Sequence, residues 1–222
     1  MELIIVYDND IFTQGKGLKS DWGFSCLVKT KEDTILFDTG EKGEILLNNI
    51  KKLNINTKEI TKIVLSHEHS DHCGGLDSLL PHLDKIDLFR LNTDEKEYNN
   101  INLIKPEKPK EISKNIWTTG KIKGVINEQS LVLKGKYGWF VLTGCSHPSV
   151  EKILGCAKKI TNDKITGIIG GFHGFDKFTV VKDLDYIYPC HCTSHKKELK
   201  NVFPKKVNDC GVGKIINLDV KI

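Results

Sequence analysis

The run KIVLSHEHSDHCGGLDSLL, residues 62 to 80, constrains this chain more than any other stretch. An apolar, strand-like segment leads directly into a loop that packs His67, His69, Asp71 and His72 into six positions. Gly74 and Gly75 then free the backbone for a sharp turn, and GLDSLL reads as the start of a helix. Imidazoles two positions apart in a tight loop can face the same way and supply one cation. Asp71 and His72 can turn toward a second cation beside it. Such a loop needs a rigid strand end beneath it and further ligands from elsewhere in the chain.

The other histidines supply those ligands. His147 follows GWFVLTG, His173 follows ITGIIGG, and His191 and His195 follow DYIYP, so of the eight histidines only His82 lies away from a strand-like run ending in a loop. A single histidine of this kind reads as a hydrogen-bonded core or surface residue. Repetition of the pattern argues for one centre assembled from several strand ends, with His147 and His191 as the distant donors.

The apolar periodicity agrees with such a scaffold. ELIIVYD, GFSCLVKT, DTILFD and KIVLS read as strands in the first half, with GEILLNNIKKL between them as a helix whose Ile45, Leu46, Ile50 and Leu53 recur at helical spacing. NIWTTG, QSLVLKG, GWFVLTG, ITGIIGG and GKIINLDV are strands in the second half, with SVEKILGCAKKI and CTSHKKELKNV as helices. Hairpins mixed with helical crossovers predict an α/β fold of two face-to-face sheets with helices on the outer surfaces. The polar stretch from 92 to 111 reads as a surface excursion.

The length of 222 residues predicts a single domain over 1–222. The 33 basic and 29 acidic residues give a net charge of +4 without a basic block, which predicts no nucleic-acid partner. Glu2 stands where a signal peptide carries basic residues, and no apolar run is long enough to cross a membrane. Seven cysteines, an odd number without a secretory signal, predict reduced thiols and a cytoplasmic protein.

HEHSDH at 67 to 72 resembles the HxHxDH signature of the metallo-β-lactamase superfamily, and ILFDTG at 35 to 40 resembles its earlier aspartate motif. GCSHPSV, IIGGFHGF and YPCHCTSH resemble blocks of its branch of 7,8-dihydropterin-6-methyl-4-(β-D-ribofuranosyl)aminobenzene-5'-phosphate synthases. The resemblance covers roughly residues 20 to 200 and implies a four-layer αββα sandwich. It implies two divalent metal ions, zinc first with manganese or iron as alternatives. His67, His69 and His147 would bind the first ion, and Asp71, His72 and His191 the second. Asp38 would orient the ligand loop from behind, because ligating imidazoles need their other nitrogen pinned. Catalysis is assigned to Asp71 and His173, the latter standing where the wider superfamily has a bridging aspartate.

The same resemblance implies a transferase that displaces pyrophosphate from a phosphorylated, pterin-like small molecule when an arylamine attacks. Two alternatives stay open: a metal-dependent hydrolase of a lactone, thioester or phosphodiester, and a non-catalytic ligand or metal sensor. A homo-oligomer is open as well. Glu68 is expected to be solvated, with orienting His67 or His69 as the alternative, and Cys73 and Cys145 to be small buried hydrophobes outside the site. Cys190, Cys192 and His195 have the spacing of a small zinc knot but lack the second ligand pair that a closed site wants.

Overall fold

The computed structural model describes residues 1–92 and 100–220. The first part of the predicted surface excursion, residues 93 to 99, lies outside the described residues. Among the described residues thirteen strands form two sheets. The first contains β1 (Glu2–Tyr7), β2 (Ser25–Lys29), β3 (Thr34–Phe37), β4 (Ile60–Val64), β5 (Ile86–Phe89) and β6 (Ile101–Ile104). The second contains β7 (Lys110–Ser113), β8 (Ile116–Thr118), β9 (Leu131–Gly135), β10 (Gly138–Thr143), β11 (Ile165–Gly171) and β12 (Tyr186–Cys190). The last strand, β13 (Ile215–Asn217), returns to pair with β1, giving the orders β13-β1-β2-β3-β4-β5-β6 and β12-β11-β10-β9-β8-β7.

Alternation along the strands decides the layering. Ile35 and Phe37 of β3 enter the core between the sheets with Phe140 and Leu142 of β10 and Leu131 and Leu133 of β9. The intervening Leu36 faces outward, onto Ile45, Leu46 and Ile50 of helix α1 (Gly43–Lys52). On the far side, Val132 and Val141 face Ile153, Leu154 and Ala157 of a later helix, Val150–Thr161. The result is the mixed α/β sandwich that the sequence predicts, with helices outside two packed sheets.

Local chemistry fixes the helices. In α1, Glu44 lies in the first turn and Lys51 and Lys52 in the last, matching the helix dipole. Two single turns follow β4: α2 (Ser70–Cys73) and α3 (Leu76–Leu79). In the later helix, α4 (Val150–Thr161), the Ser149 side chain accepts from Lys152 N–H, and Asn162 ends it in the left-handed region at φ 50°. The final helix, α5 (Lys196–Val202), starts later than CTSHKKELKNV suggests, because residues 192 to 195 form a turn. Among the described residues no helix is long and apolar enough to cross a membrane.

Parallel pairing places the working loops. β3 and β4 run parallel in the first sheet, as do β10, β11 and β12 in the second. Their C-terminal ends carry Asp38, the 67–72 loop, the 144–147 loop, His173 and His191. One buried side chain ties this end to α1. Asn49 Nδ2 donates to Val6 O at 2.9 Å and Lys19 O at 2.8 Å, while its Oδ1 accepts from Lys19 N–H at 2.9 Å. Asn49→Ala leaves the buried Val6 carbonyl and the part-buried Lys19 amide and carbonyl without these partners, and we expect a loss of about 1–2 kcal/mol. Urea denaturation checks this; a change under about 0.5 kcal/mol would show that these bonds are replaced by water.

Candidate metal centre

Two groups of side chains converge at the strand ends. His67, His69 and His147 form one, and Asp71, His72, Cys145 and His191 the other; in each, the ligand atoms lie within 4.8 Å of one another. The His67 and His72 rings are 4.2 Å apart between centroids, so the two groups adjoin. His67, His72, Cys145 and His191 are buried, whereas His69 is exposed. The cluster therefore has the capacity for two divalent ions.

The hydrogen bonds behind the rings set their tautomers. Ser66 Oγ–H donates to Asp38 Oδ2 at 2.8 Å, so the 2.9 Å contact of that hydroxyl with His67 Nδ1 is made by an Nδ1–H donor. His72 Nδ1–H donates to Asp38 Oδ2 at 2.7 Å, and His191 Nδ1–H donates to Asn9 Oδ1 at 2.9 Å. All three rings therefore present an Nε2 lone pair to the interior of the cluster. Burial, reinforced by the neighbouring imidazoles, lowers the pKa of His72 to about 3 and of His147 to about 4, and holds His67 lower still. Neutral imidazoles are the ligand form.

A test of whether a cation fits comes from unsatisfied atoms. His147 Nε2 and His191 Nε2 are buried without a hydrogen-bond partner among the described residues. Such orphans are costly in a folded interior unless something else satisfies them. Both belong to the two groups above, and His191 Nε2 is also 3.2 Å from Asp71 Oδ2. The donor set of imidazole, carboxylate and thiol suits divalent transition metals.

Backbone strain concentrates at the same place. Asp38, Ser146, Ser149, His173 and His191 are all non-glycine residues at positive φ, from 43° to 104°. Each such conformation costs of order 1 kcal/mol and persists where surrounding contacts enforce it. Gly144 serves close approach: a Cβ there would lie 2.2 Å from Ser66 Oγ, so only glycine lets the 144–147 loop rest on the 66–72 loop.

The structure separates the remaining candidates. Asp38 is fully buried beneath the cluster, with Ser66 N–H donating to its Oδ1 at 2.6 Å; burial raises its pKa and the Ser66 bonds oppose this. His173 is exposed, outside both groups, with its ring 5.2 Å from that of His147. It lines a cavity of about 470 Å³ with His147, Phe172, Phe175, Asp176 and Lys177.

Two expectations are corrected. Cys145, expected to be a small buried hydrophobe outside the site, is buried but belongs to the second group, with its Sγ 3.1 Å from His72 Nε2. A cysteine two residues before a histidine in a strand-end loop is a weak signal on its own, and only the fold brings it to His72. Glu68 is not free in solvent: it is partly buried, and Arg90 grips its Oε2 through Nε at 2.9 Å and Nη2 at 2.6 Å, pinning the histidine loop to the end of β5. In line with the missing second ligand pair, the three residues with zinc-knot spacing turn to different partners. Cys190 turns to Cys210, Cys192 to Cys145, and the His195 side chain stands beside Glu198. Trp22, which the sequence reading passed over, donates from Nε1 to Asp71 Oδ2 at 2.9 Å and lies edge-on to His191.

Residues 23–88 match the family model described as metallo-beta-lactamase superfamily. A crystal structure of Tm1679, described as a metal-dependent hydrolase of the beta-lactamase superfamily, superposes with a TM-score of 0.78 at 25% identity, covering 99% of this chain and 100% of that one. The fold is that of the metallo-β-lactamase superfamily. An uncharacterized protein of Methanocaldococcus jannaschii is 29% identical over 96% of this chain and 99% of its own length. The 7,8-dihydropterin-6-methyl-4-(beta-D-ribofuranosyl)-aminobenzene-5'-phosphate synthase of the same organism is 27% identical over 86% of each chain. With the buried His/Asp/Cys cluster, this metallo-β-lactamase fold supports a metal-dependent hydrolase or transferase.

Asp38→Asn tests the tautomer argument. An amide nitrogen facing His72 Nδ1–H or Ser66 would set donor against donor and favour the ring form whose Nε2 carries the proton. We expect metal affinity to fall about 10–100-fold, measured by competition against a chromogenic chelator. Unchanged affinity would show that the ring orientation does not depend on this carboxylate.

Proposed function

We propose that this protein is a metal-dependent hydrolase acting on an ester-type bond of a small molecule, a lactone, thioester or phosphodiester. His67, His69 and His147 hold one divalent ion and Asp71, His72, Cys145 and His191 the other, with zinc, manganese and iron all compatible with the donors. The observation that carries the reading is the pair of orphaned buried nitrogens, His147 Nε2 and His191 Nε2, one in each group. Likeness to the Tm1679 hydrolase along nearly the whole chain supports the same class.

Two adjacent ions would supply a water molecule acidified toward neutral pH and would polarise the carbonyl or phosphoryl oxygen. The chain's own groups do the rest. Asp71, held by the Trp22 indole N–H, takes the proton of the attacking water. His173 stands on the cavity wall beside His147, where it can protonate a leaving oxygen or sulfur. Phe172, Phe175 and Val180 give that cavity an apolar side for the body of the substrate, and its volume of about 470 Å³ suits a small metabolite.

A second reading has a specific observation behind it. The pterin-phosphate synthase relative matches 86% of this chain, the GCSH and PCHCTSH blocks carry His147 and His191 of the two groups, and GGFH carries His173 on the adjoining cavity wall. In that case the same cavity would hold a pterin, and the leaving group would be pyrophosphate.

Protein reconstituted with zinc or manganese should hydrolyse at least one member of a panel containing a nitrophenyl phosphodiester, an acyl lactone and an acyl thioester. Chelation should abolish the activity and metal should restore it. His69→Ala should lose metal content and turnover together, because it removes a ligand outright. Pyrophosphate release from a dihydropterin-methyl diphosphate with an arylamine, coupled with no hydrolysis across the panel, would replace the first reading by the second. Full metal stoichiometry in His69→Ala would remove that ligand assignment.

A further inference from the structure

Glu128 is a fully buried carboxylate that the sequence reading did not single out, in the segment NEQS before β9. Its Oε1 accepts from the N–H groups of Gly144, Cys145 and Ser146 at 3.0, 3.1 and 3.1 Å, and from Thr143 Oγ1–H at 2.9 Å. Its Oε2 accepts from His147 N–H at 2.9 Å. Four consecutive amides thus point at one side chain, as the amides of a backbone nest point at an anion. The loop so gathered carries Cys145 to one ligand group and His147 to the other.

The next residue reaches the opposite way. Gln129 N–H donates to Ser66 O at 2.9 Å, and its Nε2 donates to Leu65 O at 2.8 Å and Phe89 O at 3.2 Å. Its Oε1 accepts from Thr118 Oγ1–H at 2.7 Å. Two adjacent residues therefore grip the two ligand loops, one from each sheet, from a common point in the backbone. Ser66 immediately precedes His67, so the spacing between the first histidine loop and the 144–147 loop is set through the Glu128–Gln129 peptide.

We propose that Glu128 is a positioning residue of the metal centre: its carboxylate holds the 144–147 amides so that Cys145 and His147 reach their respective ions at the separation fixed through Gln129. The inference rests on the two-ion reading above and adds a residue that touches neither ion. A carboxylate is required because both oxygens must accept. In Glu128→Gln the amide oxygen still serves Gly144 to Ser146, but the amide nitrogen meets His147 N–H donor to donor. In Glu128→Asp the charge is kept, but the side chain is a methylene short of bridging both sets of amides.

The test uses the full chain loaded with cobalt(II), whose thiolate-to-metal charge-transfer absorption reports ligation by cysteine. Cys145→Ser, which should lose that absorption, calibrates the signal. Wild-type protein should bind two cobalt ions and show it. Glu128→Gln and Glu128→Asp, checked for native circular dichroism, should each bind cobalt about 10–100-fold more weakly. Glu128→Gln should lose affinity chiefly at the His67–His69–His147 group while retaining part of the thiolate band, and Glu128→Asp should lose both. A purely structural role predicts lower thermal stability with cobalt affinity and band intensity per ion unchanged, in either variant; that result would overturn the proposal. Wild-type protein that binds two cobalt ions without a Cys145-dependent band would overturn the Cys145 arm alone, whereas wild-type protein that binds no cobalt would overturn the two-ion reading and this one with it.

Discussion

The Asp38 carboxylate, sealed at the end of β3 with no solvent contact, is the constraint on which the centre depends. Two of its acceptor sites hold the second residue after β4 through Ser66 N–H and Oγ–H, and a third holds the His72 ring. To face those donors it adopts a left-handed backbone at φ 58°, a conformation an aspartate tolerates better than most residues. The strain is maintained because β3 and β4 are parallel neighbours whose register brings Phe37 beside Val64, leaving the next residues of both chains side by side. The histidine loop is therefore aimed by sheet geometry first and by hydrogen bonds second.

The second sheet repeats the device with different residues. β10 and β11 pair in parallel, so the 144–147 loop and the turn carrying His173 emerge together, and Gly171 N–H donates to Gly144 O. Here the buried carboxylate, Glu128, comes from a separate segment rather than from the strand that bears the ligands. Glycine at position 144 lets the two assemblies touch through Ser66 and Asp38. A substitution at the seam would therefore disturb ligands on both sides of it, although the sheets themselves are held by an extensive apolar core.

Legibility in the sequence follows the range of the interactions. HEHSDH was readable because its residues are local and their spacing carries chemical meaning. The layered α/β architecture was readable because apolar alternation recurs along so many segments. Cys145 and Glu128 were not, since each acquires its place only when segments distant in sequence are brought together. Glu68 was misread for the same reason: its partner Arg90, the chain's single arginine, lies beyond the next strand. The short strands β5 to β7 also escaped, because four-residue runs such as IDLF and KEIS carry too little alternation to separate from loop.

The proposed ligand sets differ in charge, and this argues for a direction of attack. Three neutral imidazoles leave the full charge of a divalent ion uncompensated, whereas Asp71 and a Cys145 thiolate would cancel it in the other group. The contact with Cys192 and burial push the Cys145 thiol up, but coordination to a cation deprotonates a thiol outright. The uncompensated group includes His147, which lines the large cavity with His173. The compensated group lies beneath Trp22, and its own His72 is fully buried. With both proposed ions bound, an electron-rich carbonyl or phosphoryl oxygen would be drawn to the His67–His69–His147 group on the cavity side, while Asp71, a member of the deeper group, would be placed to receive a proton from the opposite side. That polarity would suit hydrolysis and displacement of pyrophosphate alike, so on either proposed reading the cavity walls around Phe172, Phe175 and Lys177, rather than the ligands, would set the choice of reaction.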